Sequence, residues 1–252
     1  MLSSEDFATF CKKKGFIYPS SEIYGGLSGL YDYGHLGTLL KRNLENVWRK
    51  FFLGLHPNFF EIQAELIMHE SVFKGSGHLE NFNDPIVRCS KCEWSERADH
   101  FLEKHLDERF EELSGKELSE QIKKNKLGCP KCKSALGDVE IFNMMFPVKL
   151  GAGSKTQTAY LRPETAQSPY VNFRMQYELQ RKKLPLGLAT IGRAFRNEIS
   201  PRNMTLRMRA LTQAELQIFF NPAKIRWLRG TSSMELPLCW SIPQGMGSMV
   251  LR

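Results

Sequence analysis

Three of the arginines and both glutamates of one short stretch, residues 191–220, would share one face: Arg196, Glu198, Arg207, Arg209 and Glu215. The stretch alternates like two strands joined by a polar loop, and side chains two residues apart along a strand share a face. Guanidinium groups match the oxygens of phosphates and carboxylates at two points, and a glutamate suits an amine. We call residues 191–220 the charged hairpin, and predict that it binds an anionic ligand that also carries an amino group.

The two faces of the charged hairpin differ in polarity. The face with the charged residues also carries small or neutral ones: Gly192, Ala194, Leu211 and Gln213. The other face of the returning strand is largely apolar: Met208, Ala210, Thr212, Ala214, Leu216 and Ile218. On an unbroken strand Arg207 and Glu215 would lie about 26 Å apart, room for a nucleotide and a second substrate. The alternative is a surface hairpin whose charges are simply solvated.

Four cysteines form two Cys-x-x-Cys pairs that bracket a charged segment: Cys89, Cys92, Cys129 and Cys132. Four thiolates suit tetrahedral zinc, and four protein ligands would make the metal structural. The 36 residues between the pairs exceed the spacing of a compact zinc ribbon, and a helical hairpin over residues 98–113 and 118–126 explains the excess. Disulfides or a vestigial site are the alternatives. We call residues 88–137 the insert.

Charge and hydropathy restrict the class of protein. The net charge of +8 favours a polyanionic partner such as nucleic acid or a nucleotide. No apolar run is long enough to span a membrane, and the acidic start does not resemble a signal peptide. We therefore expect a cytoplasmic protein with no membrane partner.

The rest of the chain alternates helices and strands. We predict helices at residues 4–14, capped by Ser4 with Cys11 buried, at 36–55 and at 165–181, and strands at 59–68, 140–146 and 160–164. A glycine- and tyrosine-rich loop covers residues 18–37. The wide apolar stripe of the 36–55 helix suits either a core or a subunit interface. Residues 221–252 lack periodicity, and we expect them to be loosely ordered or foreign to the domain.

Four motifs, in this order, resemble the dimeric class II glycyl-tRNA synthetases: GLYDYGHLG with the helix after it, KGSGHLENFNDP with SERADH, LRPETAQ, and FRNEISPR with its arginine-rich return. The resemblance covers residues 7–220. It implies an α/β (α+β) fold, with a mixed, mostly antiparallel sheet flanked by helices and a zinc-binding helical insertion. It also implies a catalytic core in residues 1–87 and 138–220, incomplete because only the first and second motifs are present, interrupted by the insert and followed by an unrelated tail at 221–252.

The resemblance further implies activation of glycine by ATP and Mg²⁺ to glycyl-adenylate, transfer to the acceptor end of tRNA(Gly), and a homodimer. Arg196 would be catalytic, holding the α-phosphate and the substrate carboxylate oxygen, while Glu198 would accept from the adenine amino group and Arg207 would reach the γ-phosphate. The implied ATP site comprises Arg196, Asn197, Glu198, Leu206, Arg207, Met208, Arg209, Ala210 and Leu211. The implied glycine site comprises Arg97, Glu164, Leu211, Thr212, Gln213, Ala214 and Glu215, with Glu164 and Glu215 facing the ammonium group.

The sequence also departs from the family pattern. His35 replaces a proline, and Ala210 and Leu211 replace Glu-Phe, so adenine loses an aromatic neighbour whose stacking is worth about 1–3 kcal/mol. The third motif and the anticodon-binding domain are absent. We therefore expect a truncated glycine–tRNA ligase that charges tRNA poorly by itself. The alternatives are an inactive tRNA- or partner-binding fragment and a class II synthetase of other specificity, against which LRPETAQ and SERADH argue.

Overall fold

The computed structural model describes residues 3–106, 108–110, 113–153, 156–201, 205–221 and 247–251. These contain helices α1 Ser4–Lys13, α2 His35–Leu53, α3 Glu70–Gly75, α4 His78–Asn81, α5 Ala98–Leu106, α6 Gly115–Lys124 and α7 Gln167–Leu179. The strands are β1 Ile17–Pro19, β2 Tyr31–Tyr33, β3 Phe59–Glu61, β4 Ile67–His69, β5 Asn83–Arg88, β6 Ser95–Arg97, β7 Glu140–Asn143, β8 Phe146–Leu150, β9 Gln157–Leu161, β10 Leu186–Phe195, β11 Ala210–Phe220 and β12 Gly247–Leu251.

The strands form four small sheets instead of one. The largest has the order β12-β11-β10-β3, and the others are β4-β9-β8, β6-β5-β7 and β1-β2. Every pairing is antiparallel except that of β10 with β3. The predicted α/β class with mixed, mostly antiparallel pairing is confirmed, and the single continuous sheet is replaced by four.

The β10–β11 hairpin lies between α2 and α7. On one face Trp48 and Phe52 of α2 pack against a cluster that includes Leu216 and Ile218, while on the other Tyr170 and Phe173 of α7 pack near Phe219. Residues 215–220 are consequently all buried. The predicted division into a core face and a charged face therefore fails in the second half of β11, because a helix covers each side.

Three predicted elements are divided or shortened. Residues 59–68 form β3 and β4, which belong to different sheets. Residues 140–146 are divided because the side chain of Asn143 accepts a hydrogen bond from the Met145 amide (2.8 Å), turning the chain between β7 and β8. The first helix of the insert ends at Leu106, and Phe110 reaches the same core from the following loop. Phe110 is therefore buried with the apolar side chains of α5, as the predicted helix required, although it does not belong to that helix.

Helix boundaries shift for local reasons. Ser3, and not Ser4, caps α1 by accepting from the Asp6 amide at 3.1 Å, and Cys11 is buried as predicted. The predicted 165–181 helix is observed as Gln167–Leu179. The strand predicted over 160–164 ends at Leu161, since Pro163 cannot donate to a ladder.

Helix α2 exposes much of its apolar stripe. Trp48 and Phe52 face the core, but six other large apolar side chains of the helix are exposed: Leu36, Leu39, Leu40, Leu44, Val47 and Phe51. Among the described helices none is long and apolar enough to cross a membrane. Of the tail, residues 222–246 and 252 lie outside the described residues, and β12 pairs with β11.

Candidate functional site

The floor of the site is the part of the β10–β11 hairpin that faces away from α2. Gly192 lies opposite Gln213 and Ala194 opposite Leu211, so small side chains of β10 stand beside longer ones of β11. Beyond Phe195 the strands give way to a loop, in which the Arg196 amide still donates to the Arg209 carbonyl at 2.9 Å. The four charged residues before β11 thus lie on this loop instead of on strands, and the 26 Å estimate for an unbroken strand does not apply.

Arg196 is placed to receive an anion. Its Nε donates to the carbonyl of Pro163 (3.1 Å), and its guanidinium carbon lies 5.6 Å from the ring centre of Phe82. Within the described ranges no carboxylate lies within ion-pair distance of Arg196. Asn197, the next residue, is held by its amide, which donates to the Met144 carbonyl at 2.8 Å. The catalytic arginine implied by the resemblance is therefore oriented by neutral groups.

Glu198 and Arg207 are paired with each other. Arg207 Nε donates to Glu198 Oε2 at 2.7 Å, and its Nη2 lies 4.0 Å from Asp84. Glu198 and Asp84 are buried. Burial raises the pKa of Asp84, and Arg97 and Arg207 oppose that shift only in part. The implied adenine acceptor and γ-phosphate donor thus satisfy one another in this structure.

Arg97 joins the same charged network from the insert. It forms two hydrogen bonds with Asp99, one of them 3.1 Å long, and lies 3.4 Å from Asp84. Burial alone would raise the pKa of Asp99, but the bonds from Arg97 and from the His100 amide outweigh burial and lower it. Burial lowers the pKa of Arg97, yet its two aspartates produce a net increase. Arg97 therefore lies beside the ATP-side residues Glu198 and Arg207.

Arg209 ties the hairpin loop to the glycine-rich loop. Its amide donates to the Gly29 carbonyl (2.7 Å), its Nη1 to the Ser28 carbonyl (2.9 Å) and its Nε to the Glu198 carbonyl (3.1 Å). A Cβ at residue 29 would lie 2.6 Å from Pro201. The glycine-rich loop therefore closes on the charged loop.

Glu215 is deeply buried next to the LRPETAQ segment. It is 1% exposed, and its Oε2 accepts from the Thr165 hydroxyl at 2.9 Å. The Thr165 amide donates to Gln213 Oε1 at 3.0 Å. Arg162, 2% exposed, donates to the carbonyls of Arg193 and Ala64 and to the Ser168 hydroxyl.

Glu164, in the LRPETAQ segment, is less buried than Glu215. Its Oε1 accepts from Gln167 Nε2 at 2.9 Å and lies 3.4 Å from His78 Nε2. Strand β9 ends before both Arg162 and Glu164, so Arg162 enters the core while Glu164 keeps some exposure. The structure thus brings Gln213 and Glu215 of β11 to the LRPETAQ segment, which contains Glu164.

The remaining predicted site residues lie on both faces of β11 and in the loop before it. Ala210, Thr212 and Ala214 project to the α2 face, where Thr212 and Ala214 line an apolar cavity of about 550 Å³ between the hairpin and helices α1 and α2. Leu211 is half-buried on the floor, Met208 is buried and Leu206 is 85% exposed. Thr212 and Ala214 can therefore serve a ligand on the floor only through their backbone.

The four cysteines of the insert come together. All four sulfurs lie within 4.8 Å of one another, with Cys89–Cys132 and Cys92–Cys129 pairs at 3.5 Å. Sulfurs that bind one tetrahedral zinc at 2.3 Å are about 3.8 Å apart, so the spacing fits zinc. Hydrogen bonds from Ser134 lower the pKa of Cys132 to about 6, whereas burial and the three neighbouring thiols raise the pKa of Cys92 to about 12, so Cys132 loses its proton more readily than Cys92.

The two Cys-x-x-Cys turns have the same backbone form. The residue after the second cysteine of each turn, Glu93 or Lys133, has a positive φ, 56° and 61° respectively. Its amide donates to the carbonyl of the first cysteine. The matching turns let the two pairs face one another.

Sequence reasoning missed several residues of the site. Within the KGSGHLENFNDP motif, three residues touch predicted site residues: His78, Phe82 and Asp84. Thr165 and Asp99 were also missed. The unusual motif itself was the available signal, but nothing in its spacing indicated which residues it would contact.

The proteins that are similar to this chain agree with the resemblance inferred from its motifs. No family model matches the chain. Glycine–tRNA ligases from Methanococcus maripaludis (strain C7) and Pyrococcus abyssi are 43% and 48% identical to it, over 230 and 211 residues. These alignments cover 90% and 84% of this chain but 40% and 36% of the relatives. The similarity confirms the resemblance to glycyl-tRNA synthetases, and the chain spans about two fifths of the length of these relatives.

A solved structure of a synthetase domain gives only a weak structural match. The RNA-binding domain of threonyl-tRNA synthetase from Cryptosporidium parvum Iowa II superposes with a TM-score of 0.49 at 16% identity, over 86% of this chain and 37% of that one. At this TM-score no common fold follows.

Proposed function

We propose, from this similarity to glycyl-tRNA synthetases, that the charged hairpin and the LRPETAQ segment bind ATP and glycine for glycyl-adenylate formation, the first step of glycine–tRNA ligation. The observation that carries the proposal is the position of Arg196. Its Nε donates to the Pro163 carbonyl, its guanidinium carbon lies 5.6 Å from the centre of the Phe82 ring, and no carboxylate of the described residues is in ion-pair range.

The reaction fits the charges of the site. A carboxylate oxygen of glycine attacks the α-phosphorus of ATP, the bond to the bridging oxygen breaks, and pyrophosphate leaves. Arg196 would hold the α-phosphate and the attacking carboxylate as negative charge develops, which is electrostatic stabilisation by a preoriented donor. Magnesium bound with ATP would offset the phosphate charge. No covalent intermediate with the protein is needed, so positioning carries the catalysis.

Glu198 and Arg207 would separate when ATP binds. Arg207 would turn to the γ-phosphate, and Glu198 would then accept from the adenine amino group. The 2.7 Å contact between them keeps both charges satisfied in the absence of ligand, which avoids leaving either one buried and unpaired. Asn197, Leu206, Met208, Arg209, Ala210 and Leu211 complete the proposed ATP site, partly through their backbone.

Glycine would bind between Arg196 and the LRPETAQ segment. Glu164 is the proposed partner of the ammonium group, since it is the more accessible of the two predicted carboxylates. Glu215 is closed off by Thr165 and would act through the charge that it contributes beneath the site. Arg97, Leu211, Thr212, Gln213 and Ala214 remain proposed members of the glycine site.

Residues 1–87 and 138–220 would form the catalytic core, and the insert would carry structural zinc on Cys89, Cys92, Cys129 and Cys132. Four protein ligands leave the metal no open position for catalysis. The macromolecular partner would be the acceptor end of tRNA(Gly), which the net charge of +8 suits, and the protein would act in the cytoplasm.

The second candidate is a tRNA- or partner-binding chain without catalytic activity. The observation in its favour is the net charge of +8, which suits a polyanion without requiring catalysis. Glycine-dependent ATP–pyrophosphate exchange separates the two candidates. Slow exchange by this polypeptide supports the proposed function, whereas no exchange together with tRNA retained on filters at low salt supports the second candidate.

A ligand-binding measurement tests the proposed site without requiring turnover. We expect the chain to bind a non-hydrolysable glycyl-adenylate analogue, and Arg196→Ala to weaken that binding about tenfold to a hundredfold, because a charge-assisted contact is lost. Calorimetric titration measures both.

Arg193→Ala is the matched control for Arg196→Ala, because Arg193 is exposed three residues earlier in the same hairpin. Its affinity should equal that of the wild type. Equal weakening by both substitutions, or no binding by the wild type, contradicts the proposed site.

Helix α2 would form a homodimer interface through its exposed stripe. Six large apolar side chains exposed on one helix exceed what a solvated surface helix needs. We expect the chain to sediment as a dimer and Leu44→Asp to sediment as a monomer, because Leu44 is 70% exposed within that stripe. Leu179→Asp, in α7 at 63% exposure, should remain dimeric. A monomeric wild type, or a dimeric Leu44→Asp variant, contradicts this interface.

A further inference from the structure

The KGSGH motif brings a histidine to the proposed glycine site. Helix α3 ends at Gly75, and Gly77 adopts a φ of +74° before α4 begins at His78. A side chain at residue 77 would be strained in this conformation, and its Cβ would lie 3.1 Å from the side-chain Nδ2 of Asn81. The Gly-Ser-Gly turn therefore sets the direction in which His78 points.

Both ring nitrogens of His78 have a partner. Nδ1 lies 2.9 Å from the Ser76 hydroxyl, and Nε2 lies 3.4 Å from Glu164 Oε1. A carboxylate can only accept, so the neutral ring that fits both contacts carries its proton on Nε2 and accepts from Ser76 at Nδ1. Gln167 donates to this oxygen of Glu164 at 2.9 Å, and His78 Nε2 lies 3.4 Å from the same oxygen, so both side chains restrict the orientation of that carboxylate.

The ring of His78 also contacts the aromatic group beneath Arg196. Its centre lies 5.5 Å from that of Phe82, and the Arg196 guanidinium lies 5.6 Å from the same Phe82 ring. On its other side His78 contacts Phe73, which is fully buried. His78 therefore links a rigid core residue both to Glu164 and to the ring that supports Arg196.

We propose that His78 is a positioning residue of the glycine site, which holds the Glu164 carboxylate through Nε2–H and fixes the Phe82 ring under Arg196. The inference rests on the proposed function for the identity of the ligand, but its contacts exist in the ligand-free chain. His78 itself touches neither substrate. It acts by restricting Glu164 and Arg196 to the orientations that the ammonium and carboxylate groups of glycine require.

Two substitutions separate the hydrogen bond from the ring. His78→Phe keeps the aromatic contacts but cannot donate, and we expect it to weaken binding of the glycyl-adenylate analogue about tenfold while changing AMP affinity less than about threefold. His78→Gln retains an N–H donor at a similar reach, and should restore analogue affinity to within about threefold of the wild type. A purely structural role of His78 would lower both affinities together, or neither.

A measurement on the ligand-free chain tests the contact directly. In nitrogen-15 spectra at alkaline pH, we expect His78, assigned by its loss in His78→Phe, to show an Nε2–H proton protected from exchange. Glu164→Ala should remove that protection. A proton on Nδ1, or equal exchange with and without Glu164, overturns the proposal. If the wild type binds no analogue, the proposed function fails, and the spectra still decide the His78 contact.

Discussion

Replacing Cys129 by serine is expected to reduce bound zinc from about one equivalent per chain to almost none and to unfold the helical part of the insert. Cys129 is fully buried, and it follows the helix α6 whose Leu118 and Ile122 enter the core of the insert. Metal analysis after purification measures the first effect. Hydrogen exchange of the α6 amides measures the second.

The physical reason is the small size of that core. Among the residues that the structure describes, seven buried side chains form its centre: Val87, Ala98, Phe101, Leu102, Phe110, Leu118 and Ile122. Domains of fewer than about 70 residues seldom stabilise themselves by apolar burial alone, and a structural metal is one of the usual supplements. Zinc would join the turn after β5 to the segment after α6, two parts that are distant in the chain. Without it, we expect the insert to open while the β10–β11 hairpin retains its protection.

Cys11→Ser is the matched control for Cys129→Ser. It also removes one buried thiol, but Cys11 lies in α1, away from the insert, so zinc content should stay at the wild-type value. A Cys129→Ser protein with full zinc content, or with unchanged exchange in α6, contradicts a structural metal site. Less than about half an equivalent in freshly purified wild type counts against zinc itself.

Features that depend on local pattern could be predicted from the sequence. The two Cys-x-x-Cys pairs and the helices between them were enough to indicate that the four thiols meet. Alternation was enough to indicate the hairpin of residues 191–220. In the hairpin the information lies in local periodicity, and in the insert it lies in the chemistry of two Cys-x-x-Cys pairs, which together supply the four ligands of one zinc ion.

Contacts between distant segments could not be predicted in this way. Arg207 was predicted to bind phosphate, yet it pairs with Glu198 and lies near Asp84, from the KGSGHLENFNDP segment. The burial of Glu215 and Gln217 could not be read from alternation, because it results from α7 and α2 covering both faces of β11. Which arginine is free for a ligand and which is structural depends on such contacts.

Arg162 is an arginine that contacts between distant segments hold in the core, and the variant Gly192→Ala tests how firmly it is held. A Cβ at residue 192 would lie 2.1 Å from Nη2 of Arg162. The guanidinium cannot easily move away, because it donates to two carbonyls and a hydroxyl inside the core. Burial lowers the pKa of Arg162, and the negative charges of Glu215 and Glu65 oppose that shift. We expect Gly192→Ala to reduce the free energy of unfolding by about 2–4 kcal/mol.

Urea denaturation provides the measurement, and Gly75→Ala is the matched control. A Cβ at residue 75, at the end of α3, would meet no atom within 4 Å, so its effect should lie within about 0.5 kcal/mol of zero. The double variant Arg162→Met/Gly192→Ala isolates the cause, since methionine removes the guanidinium with which the new methyl group collides. Relative to Arg162→Met alone, the alanine should then cost less than about 1 kcal/mol. An undiminished cost in that background, or a wild-type midpoint for Gly192→Ala, means that Arg162 is not the reason why residue 192 is a glycine.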